Sequence, residues 1–228
     1  MSFYEKYVKR ILDVLLCSFA LVVLSPLFVV TAVAIKVSSK GPVFYYSIRA
    51  GKGKKPFHFY KFRSMHMVDE IHKQKDLYTA DEDRLFAVGR IIRRLKIDEL
   101  PQILNVIKGD MSIVGPRPMP ISSVDWQYCE KYEIILSVRP GLTSAASLYD
   151  YTIGETYAND EDKYREVIVP NRLELEFLYI SKQSFSYDVN LVLRTMKTII
   201  MVFLKCKKLP AQPELSEIEQ TCSNEVLV

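Results

Sequence analysis

From Val14 to Ile35 the chain carries no charged side chain, a run of 22 residues. At about 1.5 Å per residue a helix of that length crosses a bilayer. A signal peptide has a shorter apolar core and a small-residue cleavage site, so that reading is rejected. Near the middle of the run stands Ser25-Pro26. Proline removes the hydrogen bond to the carbonyl four residues earlier and kinks a helix, and a neighbouring serine hydroxyl satisfies part of the freed backbone. Basic residues flank both ends, Lys6, Lys9 and Arg10 before and Lys36, Lys40 and Arg49 after. The positive-inside preference therefore gives no direction to a crossing, and both ends suit the cytoplasmic face.

After residue 40 the pattern changes to that of strands. Gly41-Pro42-Val43-Phe44-Tyr45-Tyr46 and Phe57-His58-Phe59-Tyr60-Lys61-Phe62-Arg63 are rich in aromatics, and Gly51-Lys52-Gly53-Lys54-Lys55 reads as the turn of a hairpin between them. Residues 66–83 are polar and read as a mobile helix and loop. Leu85, Val88, Ile92 and Leu95 then form a helical stripe, and Leu100, Ile103, Leu104 and Ile107 form a second, shorter one. Asp98 is placed to cap that short helix, Pro101 to enter its first turn and Gly109 to end it. Residues 122–138 look helical, and Arg139-Pro140-Gly141-Leu142-Thr143 reads as a loop. Leu191–Leu204 is apolar but interrupted by Arg194 and Lys197, which suits an interfacial amphipathic helix rather than a span. From Leu209 onward there is no Lys or Arg, and the acidic tail reads as disordered.

Composition adds little to this pattern. A chain of 228 residues accommodates one catalytic domain with appendages. The net charge of +4 is too weak to point to nucleic acid. Cys17, Cys129, Cys206 and Cys222 form no metal or disulfide spacing, and His58, His66 and His72 show no ligand spacing with carboxylates.

Charge placement is more informative. Between Arg84 and Ile97 lie five basic residues and no acidic one, and they lead into the adjacent pair Asp98-Glu99. Capping needs one carboxylate. A cation cluster running into two carboxylates suits an anionic ligand or a metal ion, and a carboxylate nucleophile beside a metal-binding one suits attack on phosphorus. A capped helix with a solvated basic face explains the same residues without chemistry. Between residues 40 and 63 lie seven basic residues and no acidic one, which beside a membrane segment suits anionic headgroups.

The run Ile97-Asp98-Glu99-Leu100-Pro101-Gln102, followed by Lys108-Gly109-Asp110-Met111-Ser112 and Gly115-Pro116-Arg117-Pro118, closely resembles the bacterial sugar transferase family. These are the monotopic phosphoglycosyl transferases that start glycan assembly on polyprenol phosphate. Gly41-Pro42-Val43-Phe44, Lys61-Phe62-Arg63-Ser64-Met65 and the order Tyr179, Ser184, Asp188 extend the resemblance, which covers about residues 5–204. It implies an α+β, membrane-associated fold: a re-entrant helix hairpin broken at Ser25 and Pro26, and a small, mostly helical domain with a β-hairpin and interfacial helices. The corresponding limits are 1–39 for the re-entrant segment, 40–204 for the catalytic domain on the cytoplasmic face of the bacterial inner membrane, and 205–228 for the tail. It implies transfer of a sugar 1-phosphate from a UDP-sugar to a polyprenol phosphate such as undecaprenyl phosphate. Asp98 would attack the β-phosphorus, Glu99 would bind Mg2+, and Arg117, Arg93, Lys61 and Arg63 would contact phosphate, with headgroup contact left open for the last two. Membrane lipids are the further expected partner, and no oligomeric state follows. The chain departs from the family pattern at Ser144-Ala145-Ala146-Ser147-Leu148-Tyr149-Asp150, which reads as a loop and is marked for substrate discrimination. Two rivals share these features: a membrane-anchored non-catalytic binding module and a nucleotide-sugar hydrolase.

Overall fold

The computed structural model describes residues 4–66, 84–128, 130–157, 160–204, 206 and 209–218. The polar segment expected as a mobile helix and loop, with His72, lies outside the described residues apart from His66. Helix α1 (Lys9–Ser38) runs for 30 residues straight through Pro26, following a wide turn over Tyr4–Val8. Where a hairpin of two helices was expected, the segment is one helix. By length and composition it is the single helix among the described residues able to cross a membrane. Pro26 leaves the Val22 carbonyl without its amide partner, and the Ser25 hydroxyl donates to that same carbonyl at 2.8 Å.

The two sides of α1 differ. Lys9, Asp13, Cys17, Thr31 and Ile35 are buried against the rest of the protein, while Ile11, Leu15, Val22, Val29 and Val33 are exposed on the opposite side. Both ends are fastened to the same body. At the start, Asp13 accepts from the Ser112 hydroxyl (2.6 Å) and the Ile113 amide (3.2 Å), Lys9 pairs with Asp188, and Arg10 donates to the Ile107 carbonyl (2.9 Å). At the far end, Ile35 is fully buried in a cluster with Phe62, Phe86 and Ile92. Each large apolar side chain buried this way contributes roughly 1.5–3 kcal/mol.

Strands β1 (Phe44–Ala50) and β2 (Pro56–Phe62) form the expected antiparallel hairpin, in register from Phe44 opposite Phe62 to Ala50 opposite Pro56. Gly53 supplies the positive φ of +66° in its turn. Next come α2 (Ala87–Arg94), α3 (Gln102–Lys108), β3 (Ser112–Val114) and α4 (Ile121–Gln127). A 3-10 stretch over Glu130–Ser137 follows. Gly141–Thr143, expected as loop, is instead β4, paired parallel with β3. The approach is close enough that a Cβ on Gly141 would lie 2.1 Å from the Gly115 nitrogen.

Residues 144–150 are not a loop either. Ser144 caps α5 (Ala145–Thr152) by accepting from the Ser147 amide at 2.9 Å, and Ala145, Ala146, Leu148 and Tyr149 are buried in the main core. A serine cap before two alanines, with no glycine, suits a helix. The chain then runs through α6 (Glu161–Lys163), a wide turn (Tyr164–Ile168), α7 (Val169–Lys182) and α8 (Phe185–Phe203). On α8, Phe185, Val189, Leu193, Met196, Ile200 and Phe203 form an exposed apolar stripe at helical spacing. Beyond it, described residues 209–218 fold back onto α8: Glu214 receives both Arg194 donors (2.6 and 2.9 Å) and the Tyr187 hydroxyl (2.9 Å). The fold is therefore α+β, with small sheets among helices and one long apolar helix.

Candidate active site

Two close contacts position the Asp98 turn. Helix α2 presses on the end of β2 at Gly89, where a Cβ would lie 1.9 Å from the Ser64 carbonyl oxygen. Helix α3 is tied to β2 by Asn105, whose side chain is fully buried. Its Oδ1 accepts from the Tyr60 amide (3.1 Å), and its Nδ2 donates to the His58 carbonyl (2.6 Å) and to Asp110 Oδ2 (3.2 Å). Between α2 and α3, Lys96 adopts a left-handed φ of 56°, and the chain turns through a 3-10 segment over Ile97–Glu99. Asp98 therefore does not cap α3; Pro101 takes that place without a side-chain hydrogen bond, and the turn is closed by the Glu99 and Leu100 amides, which donate to the Lys96 and Ile97 carbonyls. Gly109 ends α3 in the left-handed conformation, as its position suggests.

Asp98 is only 5% exposed, and its Oδ1 has no hydrogen-bond partner among the described residues. A buried carboxylate oxygen left unpaired is costly, so such a group is retained where it has a task. Burial pushes its carboxyl up to about 6, and Glu99 adds to that rise, while Lys61, Lys96 and Arg93 pull it down. Glu99 behaves oppositely. Burial would raise it, but Lys61, Arg117 and Lys96 outweigh burial and hold its carboxyl well below the usual carboxylate range. Lys61 Nζ lies 2.7 Å from Glu99 Oε1 and 5.4 Å from the centre of the Phe59 ring. Lys96 Nζ lies 4.6 Å from the centre of the Tyr151 ring on α5. At neutral pH the pair is thus two carboxylates in a frame of cations, one of them with an unpaired oxygen.

Arg117 extends from the loop after β3. Gly115 donates to the Thr143 carbonyl (3.0 Å), and the Pro116 carbonyl accepts from Gly141 (2.8 Å), so β4 sets where the Pro116-Arg117-Pro118 loop begins. Of the residues expected in the site, Asp98, Glu99, Lys61, Arg93 and Arg117 converge. Arg63 goes elsewhere: it is buried, and its guanidinium donates to the Lys40 carbonyl (2.7 Å), the Ser39 carbonyl (2.8 Å) and the Ser39 hydroxyl (3.2 Å). Its donors hold the chain after α1, so Arg63 is not part of the candidate phosphate cradle. Ser25 and Pro26 lie in α1, as expected.

Mg2+ ordinarily takes one or two carboxylates together with substrate phosphate oxygens and water. No group of three His, Cys, Asp or Glu side chains forms a cage among the described residues. Glu99, held ionised, is a hard oxygen donor that fits a metal arriving with a diphosphate, and it leaves the unpaired Asp98 Oδ1 free of that role. Sequence reasoning missed Asn105 and Gly89. Asn105 was detectable as a polar residue among apolar helix positions; the contact at Gly89 leaves no local signal.

Residues 4–202 match the family described as bacterial sugar transferase. The chain is 40% identical over 201 residues to a UDP-N-acetylgalactosamine-undecaprenyl-phosphate N-acetylgalactosaminephosphotransferase of Aeromonas hydrophila, covering 86% of this chain and 44% of that protein. It is 34% identical over 198 residues to a UDP-glucose:undecaprenyl-phosphate glucose-1-phosphate transferase of Caulobacter vibrioides, covering 84% of this chain and 69% of that one. A protein of the same description from Escherichia coli is 34% identical over 198 residues, covering 86% and 41%. The chain thus spans less than half the length of two of these three relatives. With the Asp98-Glu99 pair, its cations and the Pro-Arg-Pro loop inside the matched region, the chain belongs to the bacterial sugar transferase family.

Proposed function

We propose that this chain transfers a sugar 1-phosphate from a UDP-sugar to a polyprenol phosphate, undecaprenyl phosphate being the acceptor named for its relatives. The observation that carries this reading is the buried Asp98 with an unpaired oxygen beside an ionised Glu99. Asp98 Oδ1 attacks the β-phosphorus of the donor, the bond from that phosphorus to the bridging oxygen breaks, and UMP leaves. A phosphate oxygen of the polyprenol phosphate then attacks the same phosphorus and releases the Asp98 carboxylate. Lys61, Arg93 and Arg117 orient the diphosphate and offset its charge. Glu99 would hold Mg2+, and the bound ion would supply further charge neutralisation on the diphosphate. The test is UMP release from UDP-glucose, UDP-galactose and UDP-N-acetylgalactosamine with undecaprenyl phosphate present. Sustained release that needs acceptor supports transfer; release at the same rate without acceptor identifies a hydrolase, and no release from any donor contradicts the reading.

Arg117→Lys keeps the charge but loses the planar two-pronged donor, so kcat/KM is expected to fall by about ten-fold or more. Unchanged kinetics would reduce Arg117 to a structural part of its loop.

We read α1 as re-entrant, with both ends on the cytoplasmic face of the bacterial inner membrane. Support comes from the attachment of both its ends to one body, the exposed apolar side between them and the Ser25–Val22 bond at Pro26. The stripe on α8 suits the interface, and the edge contact of Phe185 with Tyr4 (6.1 Å between ring centres) joins it to the turn before α1. With the native cysteines replaced, Ser2→Cys and Lys40→Cys in intact cells are expected to resist a membrane-impermeant thiol reagent. Replacing Ser25-Pro26 by Ala-Ala restores an unbroken helical hydrogen-bond ladder, favours a true crossing and is expected to expose one of the two. Labelling of Ser2→Cys from outside in the unaltered segment would contradict the topology.

A further inference from the structure

Glu176 is fully buried in the middle of α7, away from any sequence feature tied to the chemistry. Its Oε1 accepts the Arg117 amide at 3.3 Å, and its Oε2 accepts the Tyr128 hydroxyl at 2.8 Å. Behind it lies Arg172, itself 3% exposed, which favours the ionised carboxylate, although burial still raises its pKa. Burying a carboxylate and a guanidinium together is weak support for stability, since well-packed apolar residues do as well or better. The neighbouring backbone of the loop is fixed by other elements: Gly115 and Pro116 by β4, the Pro118 carbonyl by Arg49 (3.4 Å) and the Met119 carbonyl by the Ala50 amide (2.9 Å). At Arg117 itself the backbone contact is a carboxylate from α7.

We propose that Glu176 is a positioning residue for Arg117: its carboxylate oxygen holds the Arg117 amide, and through it the direction in which the guanidinium meets the donor diphosphate. This rests on the reading of Arg117 as a diphosphate contact. The competing role is charge balance for Arg172, and the two separate on conservative variants. Glu176→Gln keeps a carbonyl oxygen at full reach but loses the charge. Glu176→Asp keeps the charge but withdraws the oxygen by one methylene. Binding of UDP to the 228-residue chain in detergent is the readout, with thermal unfolding measured on the same samples. Glu176→Asp is expected to weaken UDP binding about ten-fold while Glu176→Gln stays within about two-fold. In an Arg117→Ala background neither should change UDP affinity further, because the effect passes through Arg117. The reverse order, with Gln impaired and Asp tolerated, overturns the proposal, as does equal loss in both. If Arg117→Ala weakens binding and Glu176→Asp adds its full effect on top, the positioning role alone fails. If Arg117→Ala leaves UDP affinity unchanged, the diphosphate role of Arg117 fails and the positioning role with it.

Discussion

Asp98→Asn is expected to lose at least about 10^3-fold in turnover, because an amide is not a useful nucleophile, and to be more stable than the parent. Activity and stability part because the carboxyl is buried with an unpaired oxygen and pushed up to about 6 from its ordinary 3.8. Raised in the folded state, this group favours folding most below pH 4 and loses that contribution as pH rises through about 6. The charged form above that pH then costs on the order of 1–3 kcal/mol relative to a neutral side chain. Thermal unfolding of parent and variant between pH 4 and 8 checks this. The melting temperature of the variant should gain on the parent from pH 4 to 6 and stay ahead above it. In the parent, the initial rate should rise over the same range as Asp98 ionises. Near-normal turnover of the variant would contradict the nucleophile assignment, and a gap that does not vary with pH would contradict the buried unpaired charge.

Gly89→Ala is expected to destabilise by about 1–3 kcal/mol and to slow the reaction as well. Alanine is the better helix former by about 1 kcal/mol. Here that gain is outweighed, because the new Cβ would lie 1.9 Å from the Ser64 carbonyl oxygen and 2.7 Å from its carbon, both backbone atoms. Helix α2 would have to move off β2, carrying Arg93 and the turn from Lys96 to Glu99 with it. Circular dichroism melting and UMP release on one preparation measure both effects. A melting temperature equal to or above that of the parent would show that α2 does not seat the site in this way.

Much of this was legible in the sequence because it depends on local chemistry. The hairpin from Phe44 to Phe62 follows from its aromatic strands and its glycine-lysine turn. The long apolar helix follows from a missing charge, and the compensation at Pro26 from the serine beside it. The Asp98-Glu99 pair was found because two adjacent carboxylates after a basic run are chemically conspicuous. What was misread depends on partners far along the chain. Asp98 looked like a cap because capping is a local rule, but the left-handed Lys96 and the early 3-10 turn consume the cap position. Arg63 looked like a phosphate contact from its motif, yet the chain leaving α1 returns to occupy both of its terminal nitrogens. Residues 144–150 looked like a loop by analogy with the family pattern, although Ser-Ala-Ala already favours a capped helix. The tail looked unstructured because acidic residues without cations cannot pair among themselves; the partner of Glu214 is Arg194, on a helix that itself seemed merely interrupted by charge. Glu176 carried no signal at all, since one acid on an amphipathic helix reads as solvated until the loop it holds is seen.

The account turns on a covalent bond between Asp98 and the transferred phosphosugar, and trapping it is the most direct measurement. The 228-residue chain in detergent, with Mg2+ and a UDP-sugar that supports turnover but without polyprenol phosphate, should gain the mass of one sugar phosphate. UMP should appear in no more than stoichiometric amount. Peptide mapping should place the adduct on Asp98, Asp98→Asn should show none, and undecaprenyl phosphate should discharge it. Acceptor-dependent turnover with no adduct at any time point, or an adduct on another residue that Asp98→Asn leaves intact, would contradict the account.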